Sequence, residues 1–293
     1  MDDRDLLESI MDLVGTERAR DDCAVLPVGE GILVATTDML HTKTDFLEGM
    51  TDWQCGWMAV AVTLSDIASM GAAPRWILLA VGLDRAERLR PVMEGARACC
   101  DRYGAELVGG DIDSHDELTL VSTGLGMVEP ARLVRRWGSR PRDLVCVTGV
   151  LGRAQAAIDG YSRYRQNLFE PQPRVAEGQI LGRSGATSMM DISDGLALSL
   201  YDLTLANRCG YRITSAMIPV IEDIPYDRAL EFAVYGGGDY ELLFTIPAER
   251  LPLEGMTYHV IGHVVGEPGA FLNGTPLERR GYQHRWEGPR PNG

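Results

Sequence analysis

Trp57-Met58-Ala59-Val60-Ala61-Val62-Thr63-Leu64-Ser65-Asp66-Ile67-Ala68-Ser69-Met70-Gly71 reads as one helix, apolar or small on nearly every side. A helix of that kind belongs inside a packed core. Gly71 suits its C-terminal cap, and Pro74 lies just beyond. Its single charge is Asp66. A lone ionised carboxylate in a dry interior costs on the order of several kcal/mol unless it is paired or metal-bound. No Lys or Arg stands within a helical turn of it. Asp66 therefore needs hydrogen-bond donors, a shifted pKa or a cation.

Working outward, the segments around this helix alternate between strand and helix patterns. An amphipathic helix is predicted over 3–14, then a strand entered through the acidic pair Asp21-Asp22, then a strand over 31–38 that stops at Thr36-Thr37-Asp38. Beyond the buried helix come a strand over 76–82 and a long helix to Tyr103, capped by Asp84 and stopped by Gly104. A strand over 106–108 ends in Gly109-Gly110-Asp111, and another spans 118–128. The basic stretch from Arg132 to Arg142 is the best boundary, giving domains of 1–138 and 139–293. The second half reads as a strand over 143–149, a helix from Gly152 to about Tyr164, and a further helix after the loop 169–174. Next come a strand ending at Asp191, a helix to Asn207, a strand over 211–214 and a helix near 226–234. Strands over 240–245 and, last, 259–265 complete it. The fold class is α/β or α+β in two domains.

With 293 residues the chain can bury a substantial core, and no run is apolar and long enough to span a membrane. The acidic start, Asp2-Asp3-Arg4-Asp5, is unlike a secretory leader. Six cysteines without C-x-x-C spacing read as small core residues in a reducing compartment, so a cytoplasmic protein is expected. A formal net charge of -14 argues against nucleic acid or an anionic membrane as partner. Lysine occurs only at Lys43, so no P-loop of the G-x-x-x-x-G-K-[ST] kind exists. Phosphate chemistry here must rely on arginine, backbone N–H groups and divalent cations.

The aspartates gather at strand ends and helix starts: Asp21-Asp22, Asp38, Asp66, Asp111, Asp191 and Asp194. Any one of these aspartates suits a turn or a cap as well as a ligand position, but a solvated charge prefers the middle of a polar face, and the set taken together favours a metal. Carboxylates brought together from separate segments repel, and a hard divalent ion with oxygen ligands relieves that repulsion. Gly109-Gly110 and Gly195 let backbone N–H groups approach a ligand closely, and Asp191-Ile192-Ser193-Asp194-Gly195-Leu196 opens a helix, a natural anion site.

Asp21-Asp22-Cys23-Ala24, Thr36-Thr37-Asp38-Met39-Leu40, Leu64-Ser65-Asp66-Ile67-Ala68-Ser69-Met70-Gly71-Ala72, Gly109-Gly110-Asp111, the Asp191–Leu196 run and Asp239-Tyr240-Glu241-Leu242-Leu243-Phe244 follow one another in an order and spacing similar to thiamine-monophosphate kinase. The resemblance runs from about residue 5 to Gly281-Tyr282. That family lies within a wider superfamily of aminoimidazole ribonucleotide synthetase-like ATP-binding enzymes. It implies a two-domain α/β protein, with the N-terminal sheets of a homodimer closing into a barrel. It also implies phosphorylation of thiamine monophosphate by ATP with several Mg2+ ions. Carried over by position, Asp22, Thr36, Thr37, Asp38, Asp66, Asp111, Asp191 and Asp194 resemble the metal shell, with Asp38, Asp66 and Asp111 catalytic. Gly110, Asp111, Arg136 and Ser193 resemble the ATP contacts, and Tyr282 a stacking contact for the thiamine rings. The chain departs from the family at Arg20, Thr63, Asp45 and Gly238. The last two are on the substrate side, where a carboxylate is lost at Gly238 and one is gained at Asp45. Another ATP-dependent member of the superfamily with a different small substrate, and a non-catalytic nucleotide- or metal-binding protein, are the alternative readings.

Overall fold

The computed structural model describes residues 2–15 and 20–284. The first half runs through α1 (Asp3–Ser9), α2 (Met11–Val14), β1 (Ala24–Val28), β2 (Gly31–His41), α3 (Asp52–Ser69), β3 (Ala73–Leu83), α4 (Leu89–Tyr103), β4 (Glu106–Ser114) and β5 (Thr119–Val128). Its sheet has the order β1-β2-β5-β3-β4, antiparallel except between β3 and β4. Helix α3 is the buried helix expected, and it begins five residues early. Thr51 and Gln54 form a reciprocal cap there, so the chain is turned into helix before its apolar run starts. Met70 closes α3, and Gly71 follows at φ +70.

The second half comprises β6 (Leu144–Thr148), α5 (Arg153–Ile158), α6 (Arg165–Phe169), α7 (Val175–Ser184), β7 (Ser188–Ile192), α8 (Leu196–Asn207), β8 (Gly210–Ile213), α9 (Tyr226–Tyr235), β9 (Glu241–Ile246), β10 (Tyr258–Val265), β11 (Gly269–Leu272) and β12 (Thr275–Pro276). These strands form a seven-stranded sheet ordered β12-β11-β8-β10-β6-β9-β7. The molecule is thus mixed α/β with two sheets, each with its own core.

Several local expectations are corrected; among them, the strand over 31–38 runs on to His41, and the helix from Gly152 to about Tyr164 ends at Ile158. The helix over 3–14 is broken at Ile10 into α1 and α2. Asp84 does not cap α4; its carboxylate accepts from Arg88, and a short 3-10 turn precedes the helix. Gly109-Gly110-Asp111 does not end a strand but lies inside β4, which continues to Ser114. The strand at 259–265 is not the last, because β11 and β12 follow.

Helix α3 joins the two halves. On one side it packs against β2 and β5, and on the other it meets the second half. There Trp57 Nε1 donates to the Pro171 carbonyl at 3.0 Å and Gln54 donates to Glu170 at 2.9 Å. Asp66 faces that junction.

Candidate active site

Three carboxylates from distant segments converge at the junction. One oxygen each of Asp22, before β1, Asp66, on α3, and Asp191, on β7, lie within 4.8 Å of one another. Neighbouring side chains orient them. Thr36 Oγ1 donates to Asp66 at 2.6 Å, and Ser65 Oγ, one residue before Asp66, reaches across to Asp191 at 2.6 Å. Thr63, one turn earlier, donates to Asp38 at 2.8 Å. Arg136, in the segment linking the sheets, donates through Nε to Asp22 at 3.0 Å and closes a second contact through Nη2.

Burial first, and then neighbouring negative charge, raises the proton affinity of Asp38, Asp66 and Asp191. Burial, ahead of the charge on Asp22, pushes the Asp191 carboxyl up to about 7 and that of Asp38 to about 6. Asp66 is pushed well above the ordinary range by burial and then by Asp38 and Asp191, despite the bond from Thr36. The second oxygen of Asp22 is buried with no hydrogen-bond partner. Three convergent carboxylates, one of which carries a buried oxygen without a hydrogen-bond partner, are the donor set that suits a hard divalent cation.

Other predicted residues are placed differently. Thr37 is exposed and its hydroxyl lies on the opposite face of β2 from Thr36, donating to the Ser122 carbonyl. Asp194 is outside the trio, 3.0 Å from Arg4. Asp111 is the clear exception. Asp38 is level with Ser122 on β5, Ser122 with Leu79 on β3, and Leu79 with Gly110 on β4. Three strand spacings put Gly110 and Asp111 about 14 Å from Asp38. Asp111 is also level with Ala80, on the sheet face away from α3. Within one chain it is not part of the carboxylate cluster. A Cβ on Gly110 would fall 1.8 Å from the Leu79 carbonyl oxygen, so strand packing alone explains that glycine.

A cavity of about 470 Å³ opens from the cluster. Asp38, Asp45, Asp66, Asp191, Ser193 and Asp194 contribute its polar wall. Met58, Val62, Leu168, Tyr235, Tyr240 and Tyr282 supply the apolar and aromatic part. Gly238 lines it too, at φ +88, and its N–H donates to the Ser193 carbonyl at 2.7 Å. Asp45 accepts from the His41 N–H at 2.9 Å and from Thr44 Oγ1 at 2.7 Å, which fixes the loop after β2. Tyr282 stands edge-on to His284, and its N–H donates to the Asp194 carbonyl.

Four contributors were not named as site residues from sequence. Ser65 and Thr63 carried a visible signal, as polar positions beside Asp66 on an otherwise apolar helix. Tyr240, at φ +52, hangs from the start of β9 and packs into the core of the first half. Arg4 gave no signal, since its partners lie 190 and 198 residues away.

Comparisons with known proteins find relatives of the whole chain. A family model described as AIR synthase related protein, N-terminal domain, matches residues 20–128. A thiamine-monophosphate kinase of Methanospirillum hungatei is 51% identical over 286 residues, covering 98% of this chain and 100% of its own. The one of Halobacterium salinarum is 40% identical, covering 97% and 100%. A solved structure described as "AaThiL complexed with AMPPCP and TMP" superposes with a TM-score of 0.91, at 27% identity over 97% of both chains.

Proposed function

This chain belongs to the thiamine-monophosphate kinase family, and from that membership and the site we infer that it transfers the terminal phosphoryl group of ATP to thiamine monophosphate, forming thiamine diphosphate and ADP. The observation that carries the reading is the Asp22–Asp66–Asp191 convergence, two members of which line a cavity that also presents further carboxylates and three tyrosines. Thiamine pairs a cationic thiazolium with an aminopyrimidine. Carboxylates and tyrosine faces are complementary to both. Asp45 and Tyr282 are the acceptor-side contacts in this reading.

The nucleophile is a phosphate oxygen of thiamine monophosphate, already ionised at neutral pH, so no strong base is needed. A bond forms from that oxygen to the terminal phosphorus of ATP. The bond from that phosphorus to the bridging oxygen breaks, and ADP leaves with the electron pair. The residues serve mainly to align two anions. Asp22, Asp66 and Asp191, with Asp38 and Asp194 beside them, would hold Mg2+, which supplies charge neutralisation to the phosphates when bound. Arg136 and Ser193 are the nucleotide-side residues in this reading. All six cysteines are free and buried, in keeping with a cytoplasmic setting, and no helix among the described residues is long and apolar enough to cross a membrane.

We further propose a homodimer. The sheet face away from α3 exposes Leu26, Val28, Met39, Trp76 and Leu78, and a second copy is the occupant the family implies for so large an apolar patch. The test of the function is chromatographic detection of thiamine diphosphate with ATP, Mg2+ and thiamine monophosphate. Stoichiometric product and ADP are expected. Product absent at enzyme concentrations that bind both ligands overturns the acceptor assignment.

A further inference from the structure

Ser193 and Asp194 form the wall between the acceptor cavity and a second one, of about 370 Å³. The second is lined by four arginines, Arg4, Arg20, Arg136 and Arg279, together with Glu8, Asp194 and Asp202. Arg136 is committed to Asp22. Arg4 arrives from the far end of the chain, on α1. Its Nε and Nη2 grip Asp202, on α8, at 3.1 and 2.8 Å, and the same Nη2 lies 3.0 Å from Asp194. The Arg4 and Asp202 side chains are only 17% and 16% exposed, so this is a seated contact and not a surface pair. A further bond, from Gln283 to Asp2 at 2.7 Å, ties the start of the same helix to the C-terminal tail.

A triphosphate placed beside this cluster adds negative charge to a site already crowded with carboxylates, and protein cations must offset part of it. Lysine is not available for this, because Lys43 pairs with Glu117 on an exposed loop. We propose that Arg4 is a nucleotide-phosphate-binding residue and Asp202 its positioning residue. Asp202 holds the fork of the guanidinium in place. The Nη2 that lies against Asp194 turns to a phosphate oxygen once Asp194 is engaged by the cation accompanying the nucleotide. Nucleotide binding thereby fastens α1 over the second cavity. The inference rests on the assignment of ATP as donor, and not on the identity of the acceptor.

The test is calorimetric titration of Mg2+ and AMPPCP into wild-type, Arg4→Ala, Arg4→Lys and Asp202→Asn proteins, with no thiamine monophosphate present. Arg4→Ala is expected to weaken binding by at least about tenfold, the loss typical of a charge-assisted hydrogen bond. Asp202→Asn and Arg4→Lys are expected to give smaller losses, because each keeps a cation and loosens its orientation. Arg4→Ala protein that melts lower yet binds AMPPCP like wild type makes Arg4 a structural tie only and overturns the proposal. Should Arg4→Ala not fold, Arg4→Lys decides, and unchanged affinity there overturns it equally. Wild type that binds AMPPCP but makes no thiamine diphosphate would fail the acceptor assignment and leave this one standing.

Discussion

Asp66 could be read from the sequence because a single charge in an apolar helix must be answered by something. Its answer, a hydrogen bond from Thr36 and a place beside Asp22 and Asp191, lay in segments 30 residues and more away, where spacing carries no information. Asp66→Asn keeps the Thr36 bond while removing one of the mutually repelling charges. Turnover is expected to fall by on the order of a hundredfold or more, as when a group facing the transferring phosphoryl is lost. The metal-free protein should melt about 2–4 °C higher, since about 1 kcal/mol of repulsion is relieved. Calorimetric scans of the metal-free variant decide this, and a variant that melts lower while staying active makes Asp66 a framework residue. Asp45 belongs to the same class of argument. Removing its carboxylate by Asp45→Ala is expected to raise KM for thiamine monophosphate about tenfold and leave KM for ATP unchanged, as steady-state kinetics would show. Gly238→Glu is not expected to restore the lost charge. Residue 238 sits at φ +88, and its Cβ would come 3.1 Å from that of Ala154.

Helices and strands with strong periodic patterns were legible, and the misses have particular causes. Gly109-Gly110-Asp111 looks like a turn because glycine usually marks one, yet β4 runs straight through it. There glycine answers to the approach of the Leu79 carbonyl, which no local pattern reveals. Strands β11 and β12 are four and two residues long, too short for alternation to register. Helix α5 starts without any serine, threonine or asparagine cap of its own. Its cap comes from 85 residues downstream, where Asp239 accepts from the N–H groups of Ala154 and Gly152. Asp239→Ala strands two donors at a helix start and should cost about 1–3 kcal/mol. Urea unfolding with an unchanged m-value would measure it. The glycine run before Asp239 lies against Ser193, so KM for thiamine monophosphate is expected to rise in the same variant. A stability change under about 0.5 kcal/mol would remove Asp239 from the description of this cap.

The whole molecule leaves one conflict between family and geometry. Position in the family assigns Asp111 to the metal and nucleotide shell, whereas the register of the first sheet puts it about 14 Å from Asp38 and on the outer face. That face is also the one on which Leu26, Val28, Met39, Trp76 and Leu78 stand exposed. Both observations are reconciled if two copies close over this face and Asp111 serves the site of the other copy. Each protomer would then supply the Asp22–Asp66–Asp191 cluster of one site and the Gly110-Asp111 strand of its neighbour's. The arrangement predicts complementation between defective chains. Asp66→Asn and Asp111→Asn are each expected to be nearly inactive alone. Unfolded together and refolded as an equal mixture, they should recover about a quarter of wild-type activity, because half the dimers are mixed and each holds one intact site. Sedimentation must show a dimer in the same solution. A mixture as inactive as its components, from dimeric protein, would mean that Asp111 acts within its own chain or not at all. Full activity from a monomer would remove the dimer from the mechanism altogether.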